Sequence, residues 1–258
     1  MIESDLVSVI MPSFNCGDLV ECSIRSVQAQ TYSNWEIIFV DDCSTDDTIS
    51  RVMAMKSNDD RIRLFQNESN KGAAVSRNNA LREAKGRWVA FLDSDDLWEP
   101  EKLEKQLRFM EENDYKFSYT CYKEMDASGN DTGVIVSGPL KITTAGMFAF
   151  CWPGCLTVMY DAEAIGLVQI EDIKKNNDYA MWLKVCQKAD CYLLPETLAK
   201  YRRGRSGSVS SHSISTMIKW HYKLFRDVEK MGVILSLWHT GVNLVCGFYK
   251  KQKYVKKI

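Results

Sequence analysis

The chain has 258 residues, of which 45% are hydrophobic and 26% charged, as in an ordinary folded protein. This length allows one large domain or two small ones. The net charge of −1 argues against a general nucleic-acid binder, which needs an excess of basic residues, so no nucleic-acid partner is expected.

The cysteines and the first residues bear on the compartment. The nine cysteines are odd in number and scattered, and no C-x-x-C pair occurs among them. Neither a zinc site nor a disulfide framework is therefore predicted, and we expect free thiols in a reducing cytoplasm. The opening stretch MIESDLVSVIMP carries acidic residues and a short apolar run, so no signal peptide is expected.

Four short apolar runs, at residues 6–12, 35–42, 61–67 and 87–93, are typical of strands buried on both faces. The segments between them have helical patterns. The second of these segments begins with Ser44 and Asp47, which match a capping signature, and the third stops at Gly86. Alternating strands and helices predict an α/β fold with a doubly wound, mostly parallel sheet flanked by helices.

The pattern changes after Pro100. PEKLEKQLRFMEEN is predicted to form an amphipathic helix, and YKFSYTCYKEM and GCLTVMYD further strands. NNDYAMWLKVCQKA is predicted to form another helix, with Asn176 or Asn177 available to cap it. RRGRSGSVSSHS is typical of a flexible segment. We find no internal repeat and no linker that would separate two independent domains.

Acidic side chains follow two of the predicted strands. In open α/β sheets, ligands bind at the carboxyl ends of the strands. The loops that leave those ends contain PSFN, DDCSTDD and DSDD. A ligand site is therefore predicted where Asp93, Asp95 and Asp96 crowd together.

A cluster of carboxylate oxygens suits a hard cation such as Mg²⁺ or Mn²⁺, and Mg²⁺ usually completes its shell with substrate phosphates. The DSDD loop therefore predicts a site for a metal and a diphosphate. The alternative is a solvated acidic loop that caps the next helix. Neither the G-x-x-x-x-G-K-[ST] nor the G-x-G-x-x-G motif follows the first strand, which argues against a P-loop kinase and a dinucleotide enzyme.

Four motifs together, SVIMPSFN, WEIIFVDDCSTDDT, NKGAAVSRNNAL and GRWVAFLDSDDLWEP, resemble in order and spacing the family 2 glycosyltransferases with a GT-A fold. The resemblance is close over residues 6–100 and looser to about 210. It implies a GT-A catalytic domain over 1–215, with a nucleotide-sugar half at 1–97 and an acceptor half at 98–215. Residues 216–258 would form a basic amphipathic helical extension.

The resemblance also implies a donor site for a nucleotide sugar, most often a UDP-sugar. The matching residues are Pro12, Ser13, Asn15, Asp41, Asp42, Lys71, Gly72, Arg77, Asn78, Asp93 and Asp95. Asp42 would accept a hydrogen bond from the base, and Asp93 and Asp95 would face the ribose and diphosphate. Asp95 or Asp96 would reach a Mn²⁺ or Mg²⁺ ion. A surface position for Arg77 and a simple turn role for Asn15 are the alternatives.

An inverting transfer needs a carboxylate that takes the proton of the acceptor hydroxyl. The resemblance places Asp178 of KNNDYAMWLK in that role, with Asn177 at a position where Glu is common. Asn177 is therefore expected to alter acceptor contacts. The alternative for Asp178 is a carboxylate that only complements the helix dipole.

Three further residues are candidates for the diphosphate and acceptor parts of the site. YRRGRSGSVS resembles a Tyr-Arg segment near the diphosphate, so Arg202 or Arg205 would supply positive charge there. Trp152 would lie on the acceptor side, where it either stacks on a sugar ring or packs in the core.

The C-terminal segment is basic. From 216 to 258 it carries nine Lys or Arg and two acidic residues, a net +7, which leaves −8 for the rest. MGVILSLWHTGVNLVCGFY combines apolar residues at helical spacing with a narrow polar stripe, and it is too polar for a membrane span. Two interpretations remain open: an interfacial helix on anionic lipid, or a helix packed on the catalytic domain or across a homodimer.

The resemblance, together with the acidic loop and Asp178, implies a metal-dependent, inverting hexosyl- or N-acetylhexosaminyltransferase. It would add a sugar to a glycan or a lipid-linked saccharide during surface polysaccharide synthesis. The expected location is the cytoplasm, with peripheral contact at the inner face of the plasma membrane. The alternatives are a nucleotidyltransferase and a non-catalytic nucleotide-sugar-binding module.

Overall fold

The computed structural model describes residues 3–171, 173–204 and 214–257. Arg205 and most of the segment predicted to be flexible lie outside these residues. The first half alternates strands and helices, as predicted. Its elements are β1 (Glu3–Ser13), α1 (Gly17–Gln28), β2 (Trp35–Asp41), α2 (Thr48–Lys56), β3 (Ile62–Gln66), α3 (Ala73–Glu83), β4 (Gly86–Phe91) and β5 (Leu97–Trp98).

The second half contains longer strands and mostly short helices. Its elements are α4 (Lys102–Glu112), β6 (Phe117–Met125), β7 (Asp131–Val136), β8 (Lys141–Ile142), α5 (Thr144–Ala149), β9 (Met159–Asp161), α6 (Ala162–Ile165), α7 (Asn177–Cys186), β10 (Cys191–Arg202), α8 (Ile214–Lys223), α9 (Val233–Lys253) and β11 (Val255–Lys257). A 3-10 turn at Cys155–Thr157 precedes β9, and a π turn at Leu224–Val228 follows α8.

One sheet joins the two halves in the order β11-β7-β6-β9-β4-β1-β2-β3, and β10 pairs with β5, β6 and β8. Strands β3, β2, β1 and β4 are mutually parallel. Strand β9 runs antiparallel between β4 and β6, so the sheet changes direction beside β4. The predicted doubly wound α/β sheet is confirmed, and its carboxyl edge collects the loops after β1, β2 and β4.

Successive residues of the central strands pack into two separate cores. Val9 of β1 belongs to the core that includes residues of α1, α2 and α4, whereas Ile10 belongs to the core that includes residues of α3, α5 and α7. This alternation follows from the period of two along a strand. Both faces are therefore covered, which is why these strands are apolar along their whole length.

The start of α2 corrects one local prediction. Ser44 does not cap the helix, because its backbone N–H and hydroxyl both donate to the Asp41 carboxylate. Asp46 instead accepts from the Thr48 backbone N–H at 3.0 Å and from the Gly17 N–H at 3.0 Å. Burial raises the pKa of Asp46, but the hydrogen bond from the Thr48 hydroxyl and those from the two backbone N–H groups outweigh it, and the pKa is lowered overall. Asp46 thus ties together the first turns of α1 and α2.

The C-terminal segment packs on the rest of the fold. Strand β11 pairs antiparallel with β7, and the Ser137 N–H donates to the Tyr254 carbonyl at 2.8 Å. Helix α9 lies against α5. Among the residues described, no helix has both the length and the apolar character that crossing a bilayer would require.

Lys102, the first residue of α4, is a buried base with little compensation. Its side chain is 0% exposed, and its Nζ donates to Gln106 Oε1 at 2.8 Å. The Trp98 ring lies 4.1 Å from Nζ and favours the charged form. Burial nevertheless lowers the pKa of Lys102 to about 7. The charged state is therefore stabilised less in the folded than in the unfolded chain.

Replacing Lys102 with methionine is expected to raise the free energy of unfolding at pH 7 by about 1–3 kcal/mol, because no ammonium group then loses its hydration. The native pKa of about 7 lies below the unfolded value of about 10.4, so the unfolded chain binds more protons between these values. Wild-type stability therefore rises with pH across that window, and the variant lacks this rise. Urea unfolding at several pH values measures both effects, and identical pH profiles would contradict the prediction.

Candidate active site

The loops after β1 and β2 are held together by Asn15. Asn15 has a positive φ of 47°, its N–H donates to Ser44 Oγ at 2.9 Å, and its Oδ1 accepts from the Thr45 N–H at 2.8 Å. The Asp42 N–H donates to the Ser13 carbonyl at 2.8 Å. Asn15 therefore does more than make a turn, because its side chain fixes one loop against the other.

Asp41 at the end of β2 and the following Asp42 both accept hydrogen bonds from other groups of the protein. Asp41 is 0% exposed and accepts from the Ser44 backbone N–H at 2.8 Å. Asp42 accepts from Asn67 Nδ2 at 2.8 Å and from the backbone N–H groups of Lys71 and Gly72 at 2.9 and 2.7 Å. Asp42 thus shapes the loop before α3, and its contact with a base stays a prediction.

Three other donor-site candidates border these aspartates. Pro12 is buried in β1 opposite Val40 of β2, while the Lys71 side chain is exposed. Gly72 has a φ of 85°, a conformation that favours glycine, and no atom lies within 4 Å of where a Cβ would be. Asp42 therefore holds the backbone at 71–72, and the space next to the Cα atom of Gly72 is open.

The acidic loop 92–96 joins β4 to β5 and contains side chains in different environments. The Asp93 side chain is 34% exposed and Asp95 is partly exposed, but Asp96 is 2% exposed. Burial, and then the negative charges of Asp95 and Asp93, hold the pKa of Asp96 well above its usual range. The loop thus concentrates negative charge at the sheet edge, and its carboxylates are not equivalent.

Arg202 holds this loop through its backbone N–H and its side chain. Its backbone N–H donates to Asp96 Oδ1 at 2.8 Å, and its Nε donates to the Asp95 carbonyl at 2.8 Å. Its Nη1 donates to the Ala127 carbonyl at 3.0 Å, and the residue is 6% exposed. Here the guanidinium binds backbone carbonyls, so its predicted contact with a diphosphate would need a rearrangement.

Arg77 connects the acidic loop to the start of α7. Its Nη2 donates to Asp93 Oδ1 at 2.5 Å, and its Nη1 donates to Asn177 Oδ1 at 2.7 Å. Arg77 is 6% exposed, so a surface position is ruled out. Burial lowers its pKa, but the charges of Asp93 and Asp178 outweigh burial, and the pKa is raised. Arg77 therefore stays charged at the centre of the site.

Asp178 is the second residue of α7 and lies beside this bridge. It is partly exposed, and its Oδ1 accepts from the Tyr179 backbone N–H at 2.8 Å. Asn176 occupies the N-cap position, but its side chain makes no capping hydrogen bond. Asn78 holds the chain ahead of α7, because it exchanges two hydrogen bonds of 2.7 Å with the Ile170 backbone. The predicted base is thus placed next to the predicted donor loop.

Trp152 lies in the core in this structure. It is 8% exposed, its Nε1 donates to the Gly146 carbonyl at 3.1 Å, and its ring packs edge-on against Phe150 and Tyr254. The core alternative therefore describes its present position, and stacking on a sugar would require this loop to open.

Sequence reasoning missed three ionisable groups near Asp178. Burial raises the pKa of the Cys151 and Cys155 thiols, and the charge of Asp178 raises both further. Lys250 Nζ donates to the Trp152 carbonyl at 2.7 Å, and burial lowers the pKa of Lys250. Lys250 comes from α9, so its sequence position gave no signal of this contact. Both thiols are free.

The acidic loop supplies oxygen ligands of the kind that a hard cation prefers. Among the residues described, no three His, Cys, Asp or Glu side chains are arranged as a complete metal cluster. Mg²⁺ commonly takes one or two carboxylates and fills its shell with substrate phosphates. Asp93 and Asp95, both partly exposed on one loop, fit that requirement.

Comparison with known proteins identifies the family. The sequence profile described as "Glycosyl transferase family 2" matches residues 8–143, slightly more than half of the chain. The chain belongs to glycosyl transferase family 2. The resemblance carried by the four motifs is thereby confirmed, and the nucleotidyltransferase alternative is set aside.

Two curated relatives are similar over most of their length. The "Putative teichuronic acid biosynthesis glycosyltransferase TuaG" of Bacillus subtilis is 41% identical over 234 residues, which cover 90% of this chain and 92% of TuaG. The "UDP-Glc:alpha-D-GlcNAc-diphosphoundecaprenol beta-1,3-glucosyltransferase WfaP" of Escherichia coli is 39% identical over 215 residues, which cover 83% of this chain and 84% of WfaP.

Solved structures of low sequence identity share the fold. Staphylococcus aureus TarS 1-349 in complex with UDP-GlcNAc has a TM-score of 0.70 at 20% identity, over 89% of this chain and 69% of TarS 1-349. The mannosyltransferase PcManGT of Pyrobaculum calidifontis, in complex with GDP-Man and Mn²⁺, has a TM-score of 0.65 at 16% identity. The match covers 94% of this chain and 75% of PcManGT. The family 2 chain therefore has the predicted GT-A fold.

Proposed function

We propose that this family 2 glycosyltransferase moves a hexosyl or N-acetylhexosaminyl group from a UDP-sugar to a hydroxyl of a lipid-linked saccharide in bacterial surface polysaccharide synthesis. The activity for which WfaP is named and the UDP-GlcNAc complex of TarS support this donor, and the name of WfaP supports this acceptor. TuaG supports the pathway class. The observation that carries the proposal is the Arg77 bridge, which joins the acidic loop to the helix of Asp178.

The donor would bind across the loops after β1, β2 and β4. Asn15 and Asp42 hold the backbone of the loops that would form the nucleotide pocket, and Lys71 and Gly72 would close over the base and ribose. Ser13 Oγ is buried and has no hydrogen-bond partner among the described residues, so it is a candidate contact for the nucleotide.

A Mn²⁺ or Mg²⁺ ion would be held by Asp95 together with Asp93 or Asp96, and it would neutralise charge on the departing diphosphate. The Mn²⁺ complex of PcManGT, which has the same fold, supports a divalent ion. The chain's own part is to keep Asp93 in place through Arg77, and the loop backbone in place through Arg202.

Asp178 would take the proton of the acceptor hydroxyl, with inversion at the anomeric carbon. The Tyr179 N–H holds Asp178 Oδ1, so Oδ2 is the atom that would receive the proton. Asp178 is one of the negative charges that raise the pKa of Arg77, so a charged guanidinium lies near the proposed base. We also propose that the enzyme works at the inner face of the plasma membrane, where a lipid-linked acceptor is anchored.

A panel of UDP-, GDP- and dTDP-sugars is expected to yield one donor that raises the melting temperature in the presence of Mn²⁺, because a ligand of the native state stabilises it. Replacing Asp95 with asparagine is expected to weaken Mn²⁺-dependent donor binding at least about tenfold, since a carboxylate ligand is lost. Isothermal titration calorimetry with and without Mn²⁺ measures this loss.

Asp60→Asn is the matched control, because Asp60 is an exposed loop aspartate outside the site. It is expected to bind the donor like the wild type. Equal donor affinity for Asp95→Asn and Asp60→Asn would remove the acidic loop from the donor site. If no nucleotide sugar stabilised the protein, the proposed function would be wrong.

A further inference from the structure

Helix α9 packs with its polar side inward. Ser236, Thr240 and Asn243 are 0%, 4% and 1% exposed. Thr240 Oγ1 donates to the Ser236 carbonyl at 2.7 Å, and Asn243 Nδ2 donates to the hydroxyl of Tyr179, the residue that follows Asp178, at 2.8 Å. The polar stripe therefore faces the catalytic domain, and most large apolar residues of α9 are turned outward.

The outward side of α9 forms an exposed apolar ridge, defined by five residues of this helix. These are Ile234, Leu237, Trp238, Val245 and Phe248, which are 86%, 58%, 66%, 69% and 67% exposed. The five recur at helical spacing on the side opposite the buried polar stripe. Eleven of the fourteen exposed large apolar side chains in the described residues lie between 214 and 249. Such concentration marks an interaction surface.

The charge around the ridge is strongly basic. Residues 216–258 carry +7, whereas the rest of the chain carries −8. Lys219 of α8 and Lys230, just before α9, are exposed, as are Lys251 and Lys253 at the far end of α9. Apolar residues between lysines match a membrane interface, where apolar groups enter the acyl boundary and lysines meet anionic headgroups.

We propose that the apolar ridge and its flanking lysines dock the enzyme on an anionic lipid bilayer, with α8 and α9 lying in the interface. A second copy of the chain fits this surface less well, because a two-fold dimer would bring two segments of +7 together. The partner is thus a phospholipid surface with negative headgroups.

The docked helix would also orient the catalytic site. Asn243 contacts Tyr179 on α7, and Lys250 contacts the Trp152 carbonyl, so the inner side of α9 touches the acceptor side near Asp178. Docking would hold that side close to the membrane surface. This consequence rests on the proposed function, because it explains how a lipid-linked acceptor reaches the base, whereas the docking itself does not depend on it.

The test is sedimentation of the full chain with vesicles of phosphatidylcholine alone and of phosphatidylcholine mixed with phosphatidylglycerol. Wild-type protein is expected to bind the mixed vesicles, and added salt is expected to weaken binding. The double variant Trp238→Ser/Phe248→Ser is expected to bind at least about tenfold more weakly, since two large apolar groups no longer enter the interface.

The matched control is Met53→Ser/Leu140→Ser, which removes two exposed apolar side chains elsewhere, 58% and 70% exposed in the wild type. It is expected to bind vesicles like the wild type. Thermal melts and donor affinity of both double variants report folding, and they separate failure of docking from failure of the proposed function. Absence of vesicle binding, equal binding by the two double variants, or a ridge-dependent dimer that ignores vesicles would each overturn the proposal.

Discussion

Replacing Asp178 with asparagine is expected to slow sugar transfer by about a hundred- to ten-thousand-fold, because the amide cannot take the proton of the acceptor hydroxyl. Donor affinity is expected to remain that of the wild type, since the predicted donor loops lie on other elements. Single-turnover transfer rates and calorimetric donor affinity measure the two effects separately. Retained donor binding with lost transfer would also distinguish a catalyst from a non-catalytic nucleotide-sugar-binding module.

Asp18→Asn is the matched control for this experiment. Asp18 is the second residue of α1, as Asp178 is of α7, and its side chain is exposed. Both substitutions remove a carboxylate from a first helical turn, so both lose the same favourable interaction with the helix dipole, about 0.3–1 kcal/mol. Only Asp178→Asn is expected to lose transfer. Unimpaired transfer by Asp178→Asn would show that the carboxylate serves the helix alone.

Replacing Arg77 with methionine is expected to lower the free energy of unfolding by about 3 kcal/mol, at the low end for a broken buried ion pair because Asp93 is partly exposed. The variant is also expected to lose transfer, because the acidic loop and the start of α7 are no longer joined. Urea unfolding and transfer assays check these effects. Arg77→Lys is expected to recover part of the stability but little transfer, since one ammonium group cannot reproduce the two-pronged contact.

Arg63→Met supplies the control. Arg63 is 24% exposed and pairs with Glu36 and Glu83, so it is another arginine that joins two elements. Its loss is expected to cost stability without a specific loss of transfer in the protein that remains folded. A double-mutant cycle of Arg77→Met with Asp93→Asn is expected to give a coupling energy of at least about 1 kcal/mol. Additive effects would mean that the observed ion pair does not act as a unit.

Under the proposed function, the Arg77 bridge would couple donor binding to proton transfer. The residues that would bind the donor belong to the parallel half of the sheet, and Asp178 belongs to the second half. A single buried guanidinium binds a side chain from each half. A shift of the donor loop would therefore be felt at the start of α7, which is the physical basis for expecting coupled effects on stability and transfer.

The four strands of the parallel half, and the position of the acidic loop at their carboxyl edge, followed from the sequence itself. Continuous apolar runs such as WEIIFV leave few alternatives to a doubly buried strand, and the order of the four motifs indicated the family. The capping prediction at Ser44 was wrong because a short polar side chain can satisfy several nearby backbone or side-chain groups. Asp41, three residues away, bound it instead.

Tertiary structure alone decided which distant side chains meet. Arg77 and Asn177 are a hundred residues apart, and Lys250 and Trp152 are 98 apart, so no local pattern could pair them. The sequence of α9 contained an apolar side and a polar stripe, but burial of either was open. Asn243 finds a partner in the Tyr179 hydroxyl and the polar stripe packs inward, so the apolar side was left exposed. Local sequence therefore determined the elements, whereas the hydrogen bonds available after folding determined their orientation.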